Sequence, residues 1–324
     1  MGLSRLNWFA SFALAAILSA PAWGATPALP GTLNYVEGQA AVGSEALNAK
    51  SVGAVTLQSG RTLTTETGKA EILLTPGVFF RVGDNSSATL VSPSLTNTEV
   101  SLTKGQAMVE VAEIYKDNLL RVQEDGATTQ LLKTGLYGFD ASNGEVRVFK
   151  GEALVQDGDR YIKVKGGHEL DLNNAGNLKT RKFDRSAYEQ SDLYPFGNLR
   201  SQYLAEANVY AAGLYLNGGP GWYGTGWYWD PFFMDYTWIP GDGMFFSPFG
   251  WGFYSPWLVP YAPYYGRYYP YGYGGHSRPY YAGRAGPYVG RSGYAASHGG
   301  NGFRGFAAPH SFGVMGGGFH GGGR

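Results

Sequence analysis

Between residues 31 and 175 apolar and polar side chains alternate in short runs, and a glycine-bearing turn breaks the pattern about every ten residues. Ile72 and Leu74 lead into Pro76-Gly77, and Val78, Phe80 and Val82 alternate after it. Val100 and Leu102 precede Lys104-Gly105, with Ala107, Val109 and Val111 following. Val146 and Val148 precede Lys150-Gly151, with Ala153 and Val155 beyond. Ile162 and Val164 run to Gly166-Gly167, and Leu170 and Leu172 close the series. Asn143-Gly144 and Asp157-Gly158 tolerate positive φ and read as hairpin turns. Side chains that repeat every second residue line one face of a strand, so the segment predicts a mainly β fold, an antiparallel sandwich or roll. Its roughly 145 residues suffice for a core without covalent staples. The chain contains no Cys, which excludes disulfides, thiolate nucleophiles, zinc ribbons, iron–sulfur clusters and a cysteine-linked lipid.

The character then changes. In residues 183–216, Leu199, Tyr203, Ala207, Tyr210 and Leu214 recur at spacings of three and four, which predicts a helical connector with those residues on its packing face. Asn198 is the expected N-cap, and Asn217-Gly218-Gly219-Pro220 the stop. Residues 217–273 are rich in Tyr, Trp, Gly and Pro, and hold Trp222, Trp227, Trp229, Trp238, Trp251 and Trp257, six of the eight tryptophans. Pro231, Pro240, Pro248, Pro256, Pro260 and Pro263 exclude a membrane span there. Three roles fit so many rings: completing the β core, presenting a recognition surface, or self-association. Six tryptophans left in water exceed what a soluble monomer tolerates, so the expectation is partial packing, with these six residues as the candidate binding surface.

Residues 274–324 are Gly-rich and basic, with too few apolar side chains to offset chain entropy, and are expected to be disordered. No acid follows Asp242, so Arg267, Arg278, Arg284, Arg291, Arg304 and Arg324 are the only charges of that end. A net charge of zero thus hides a basic tail, suited to weak contact with anionic surfaces or simply to keeping copies apart.

At the other end, Arg5, the apolar run 9–18 and Ala22-Trp23-Gly24 form the three-part pattern of a secretory signal over residues 1–24. The run is shorter than the ~20 residues of a membrane span. The expected location is therefore periplasmic or secreted, with a cleaved signal peptide and no transmembrane helix.

Catalytic patterns are scarce. His168-Glu169 opens like a zincin motif, but the second His is missing from HELDL. Glu110 and Glu113, or Asp157 and Asp159, flank strands and turns with nothing built around them as a glycosidase pair. His276, His298, His310 and His320 lie in Gly-rich chain, where closing each metal-binding loop costs entropy. No enzyme activity, no cofactor, no metal and no nucleic-acid partner are expected.

Residues 68–111 resemble the FecR domain. The strand 71–74, the turn Thr75-Pro76-Gly77, the strand 79–82, the bend Asn85-Ser86-Ser87 and the Lys104-Gly105 turn follow that family's order. Residues 131–155 resemble its second block, with Gly135 and Phe139 bounding one strand and Gly151 opening the last. The likeness runs over roughly residues 31–172. It implies an extracytoplasmic β module that contacts envelope components. FecR proteins proper regulate extracytoplasmic-function sigma factors through a cytoplasmic segment ahead of a membrane helix. The few residues before the apolar run leave no room for such a segment, so that role is not expected to transfer. The expected function is non-catalytic binding of an envelope protein or polysaccharide, the alternative a periplasmic signalling module that contacts a membrane receptor or sensor.

Overall fold

The computed structural model describes residues 28–174, 178–216 and 221–262. The expected signal at 1–24, the last part of the aromatic segment and the basic tail at 274–324 lie outside the described residues.

The strands follow the alternation. They are β1 (Leu33–Val42), β2 (Glu45–Ala46), β3 (Thr62–Leu73), β4 (Val78–Val82), β5 (Ser87–Ser94), β6 (Asn97–Lys104), β7 (Gln106–Val111), β8 (Leu119–Glu124), β9 (Ala127–Leu131), β10 (Gly135–Asp140), β11 (Glu145–Lys150), β12 (Glu152–Asp157), β13 (Arg160–Lys165), β14 (His168–Asp171) and β15 (Arg181–Lys182). All belong to one hydrogen-bonded sheet, in the order β13-β12-β9-β8-β6-β5-β3-β4-β7-β10-β11-β14-β15, with β1 along the other edge of β3 and β2 on β1. Every pairing is antiparallel except β6 with β8. The fold is therefore mainly β, in the rolled form of the two expected.

The roll is made at corners. β3 pairs with β5 through Thr62–Thr64 and with β4 through Ala70–Leu73, so one long strand serves both halves of the sheet. Thr65 pins the bend, its hydroxyl donating to the Gly83 carbonyl and accepting from the Ser86 N–H. Lys104-Gly105, Lys150-Gly151 and Gly166-Gly167 are turns, but not hairpins. The strands on either side of each pair with different neighbours, so each link carries the chain from one half of the sheet to the other, as corners do in orthogonal packings. Gly105 and Gly151 have φ of +75° and +97°, and a Cβ would strike the Ser86 side chain at the first and the Tyr137 hydroxyl at the second. Only glycine fits there. Asn143-Gly144 and Asp157-Gly158 do join paired strands. Leu33, Ile72, Val78, Phe80, Val109, Val122, Tyr137, Val148, Val155, Val164 and Leu170 share the enclosed core, which draws on both ends of the path.

One buried acid strains this core. Glu124 ends β8 beside the Asp125-Gly126 turn, and neither carboxylate oxygen has a hydrogen-bond partner of good geometry. Burial, then the nearby Asp140 and Asp125 charges, push its carboxyl well above the ordinary 4.5; Arg147 opposes this weakly. A group that holds its proton longer when folded contributes stability that is complete below its unfolded value and is lost as pH rises. Glu124→Gln is therefore expected to leave stability at pH 4 unchanged and to raise it by about 1–2 kcal/mol at pH 8, since the amide folds without having to take up a proton while a buried polar group remains. Urea unfolding at the two pH values measures this.

Candidate functional site

The outer face of the roll is not left to solvent. In β4, Val78, Phe80 and Val82 point into the core, and Phe79 and Arg81 point out, yet all five are buried. β7 behaves alike, with Met108 and Glu110 outward and covered, as is Ala112 just past its end. The cover is a cap made of α1 (Arg185–Glu189), α2 (Leu193–Gly213) and two hairpins, β16 (Gly226–Asp230) with β17 (Asp235–Ile239) and β18 (Met244–Phe246) with β19 (Gly252–Tyr254), followed by a 3-10 turn at Pro256–Tyr261.

The predicted packing face of the helix is corrected by the structure. α2 starts at Leu193, five residues before the expected cap, with Pro195 in the first turn, where its missing N–H is not needed. Its buried side carries Leu193, Gly197, Arg200, Ser201, Leu204, Ala207, Asn208 and Ala211, while Leu199, Tyr210 and Leu214 are exposed. Asn198 caps nothing. Its Oδ1 accepts from Trp251 Nε1 at 2.8 Å. Hydropathy misplaced the face because three of its residues are polar and each finds a buried partner.

Those partners form one buried network. Arg81 Nε donates to Glu71 Oε2 at 2.7 Å and Arg81 Nη1 to Glu110 Oε2 at 2.6 Å. From α2, Arg200 Nη2 donates to Glu71 Oε1 (2.9 Å) and Asp235 Oδ2 (3.0 Å), and Ser201 Oγ donates to Glu110 Oε1 (2.7 Å). The Arg200 guanidinium also lies 4.4 Å from the Tyr35 ring centroid. Burial works against ionisation at Glu71, but Arg200 and Arg81 outweigh it and hold the carboxyl below its usual range. At Glu110 burial prevails over Arg81 and Ser201 and the carboxyl is raised.

Two asparagines stitch the hairpins by their backbones. Asn34 on β1 donates to the Tyr236 carbonyl at 2.9 Å and accepts from the Tyr236 N–H at 2.8 Å. Asn208 on α2 donates to the carbonyls of Trp238 and Tyr254 and accepts from the Tyr254 N–H. These bonds satisfy backbone groups that water cannot reach.

The six predicted tryptophans divide. Trp238 is fully buried, in the cluster with Leu73, Phe79, Leu204, Tyr236 and Phe253, and so offers no face to a partner. Trp227, Trp229 and Trp251 pack against that cluster. Trp227 meets Phe79 edge-on at 5.1 Å, and Trp229 meets Tyr236 at 5.0 Å. Trp222 packs on the cluster of Ala211, Ala212, Tyr228 and Ile239. Trp257 is 51% exposed. Composition alone does not single out the tyrosine at the centre of the exposed rings. Tyr228 is stacked between Trp222 (5.3 Å, 22°) and Tyr223 (5.5 Å, 14°), and Tyr223, 77% exposed, ends the stack. Phe232 and Met234 are also exposed, and Phe232 lies 6.0 Å from the Tyr210 ring.

The residues weighed as catalytic are not assembled into a reactive group. Glu110 is locked by Arg81 and Ser201. Glu113 accepts from Thr225, and Asp157 pairs with Arg160. His168 begins β14, its Nδ1 3.2 Å from the Gly166 carbonyl oxygen. Among the described residues no group of three acids and histidines is placed to hold a metal ion, and no helix is long and apolar enough to cross a membrane.

Fold and cap define a β-roll module whose outer face is sealed by a helix and two aromatic hairpins. Comparison with known proteins places the roll: the FecR protein family model matches residues 61–154, from β3 into β12, so the chain contains a FecR domain. Two crystal structures from Parabacteroides distasonis ATCC 8503, each of a protein described as an anti-sigma factor, also match, at 14% and 13% identity with TM-scores of 0.34 and 0.35. Each match covers 40% of this chain and 63% or 65% of the other, so the chain spans less than two thirds of the solved chains. No curated protein matches.

Proposed function

We propose that the protein is a non-catalytic, extracytoplasmic binding module of the bacterial cell envelope, in which the FecR roll is the rigid base and the aromatic cap the contact surface. The observation that carries this is the ordered stack Trp222–Tyr228–Tyr223, which ends on an open ring face. A ring already held in place loses little freedom when a flat partner lies on it. Rings with an apolar face and a polar tip suit sugars and protein hot spots alike. The FecR domain supports the envelope setting, and the leader pattern at residues 1–24 supports export.

The test is retention of the protein on purified peptidoglycan, lipopolysaccharide and capsular glycans. Tyr223→Ala and Trp257→Ala are each expected to weaken retention about tenfold, close to 1.4 kcal/mol, with unchanged thermal unfolding. The FecR match also favours a second reading, a periplasmic signalling module that touches a membrane receptor or sensor. Retention on no glycan, with recovery of a membrane receptor in a pull-down, selects that reading.

A further inference from the structure

The seat of the cap holds more acid than base. Glu71, Glu110 and Asp235 face only Arg81 and Arg200, and all five are buried. A fourth acid stands behind them. Asp230 lies directly opposite Asp235 in the register of the β16–β17 hairpin and is itself buried.

The hydrogen bonds show which acids are supplied with donors. Glu71 accepts from Asn34, Arg81 and Arg200. Glu110 accepts from Arg81 and Ser201. Asp235 accepts from Arg200 on Oδ2, and its Oδ1 has no partner. Asp230 Oδ1 accepts from the N–H groups of Phe232 and Phe233, and its Oδ2 has no partner. Two opposed carboxyls thus each keep one bare oxygen, sealed from water. Asp235 is faced by Arg200 from α2, Glu71 from β3 and Asp230 from β16. The Tyr35 ring of β1, whose hydroxyl donates to Glu37, lies against Arg200, and Arg81 of β4 and Glu110 of β7 stand beyond Glu71. Like charges enclosed together cannot all ionise.

We propose that the Asp230–Asp235 pair holds a proton while the cap is seated and releases it when the cap lifts, so that the aromatic cap sits tighter in mild acid and loosens as pH rises. The electrostatics run the same way. Burial, then Glu71 and Asp230, push the Asp235 carboxyl up to about 7 against the pull of Arg200, and burial raises Asp230. The seated form binds the proton more strongly than the lifted form, so seating is fullest below the ordinary carboxyl value of 3.8 and is lost as pH climbs through about 7. The inference does not depend on what the rings bind.

Amide hydrogen exchange on the whole chain, corrected for the intrinsic pH dependence, tests it between pH 5 and 8. Protection of residues 204–212 and 235–239 is expected to fall on the order of ten- to a hundredfold across that window, while residues 106–111 in the roll keep theirs. Asp235→Asn removes the slope. Asp230→Asn, whose side-chain oxygen still caps Phe232 and Phe233, moves the midpoint to lower pH. Flat protection in the parent, an undiminished slope in Asp235→Asn (which would assign the proton to Glu110) or an unmoved midpoint in Asp230→Asn overturns the proposal. Should Asp235→Asn fail to fold, the parent slope and the Asp230→Asn midpoint decide.

Discussion

Arg81→Ala is expected to destabilise the protein by about 3–5 kcal/mol, the usual penalty for removing one partner of a buried ion pair. Arg81 is fully buried and, among the described residues, alone bonds both Glu71 and Glu110. Without it, Glu110 keeps only the Ser201 hydroxyl, and Glu71 keeps Asn34 and Arg200. The effect comes from stranded carboxylates rather than from the net worth of the pair, because two buried charges attract one another at about the expense of their lost hydration. That distinction is testable. Adding Glu110→Gln to Arg81→Met removes both charges at one limb, and the double variant is expected to recover a substantial part of the loss in urea unfolding. Arg200→Ala leaves the roll's own Arg81 pairs intact and removes the charge that ties α2 to β3 and β17. Its unfolding should separate into an early cap transition and a later roll transition, where Arg81→Ala lowers both.

The roll was legible in the chain, and the cap's seat was not, for reasons that particular residues make plain. Alternation in β4, β7 and β11 announced strands, because one face of each meets an apolar core. The corner glycines were visible as turns, but a turn in sequence does not say whether the strands beside it pair. Gly105 and Gly151 differ from Gly144 only in what lies across the sheet. The covering of the roll left one trace. The run Val78-Phe79-Phe80-Arg81-Val82 has rings on both faces, which is the pattern of a strand buried on both sides. Arg81 within that run concealed the signal. The same holds for α2, where Arg200, Ser201 and Asn208 read as surface until Glu71, Asp235, Glu110 and the hairpin backbones are placed beside them. Polar residues paired across 30 to 129 positions carry no local signature. Rings are the converse case: Trp238 and Trp257 look alike in composition and lie in opposite environments.

Trp238→Ala is therefore expected to cost about 3–5 kcal/mol, the range for emptying a large aromatic site in a packed core, whereas Trp257→Ala should stay within about 0.5 kcal/mol. Trp238 lies 5.3 Å from the Phe245 ring and 5.4 Å from that of Phe253, and its Nε1 donates to Thr225 at 3.1 Å. A Cβ at Gly77, in the β3–β4 turn, would already come within 3.2 Å of it. The indole thus joins both hairpins to the roll, and Asn208 holds the Trp238 backbone by donating to its carbonyl. Limited proteolysis reads the result directly. The parent should yield a protected fragment that retains the hairpins to about residue 260, and Trp238→Ala one that ends near residue 180. If both give the shorter fragment, the cap is not seated in solution and the rings are free for other work. If both give the longer, the buried ion network alone holds the cap, and Arg200→Ala then becomes the variant that releases it.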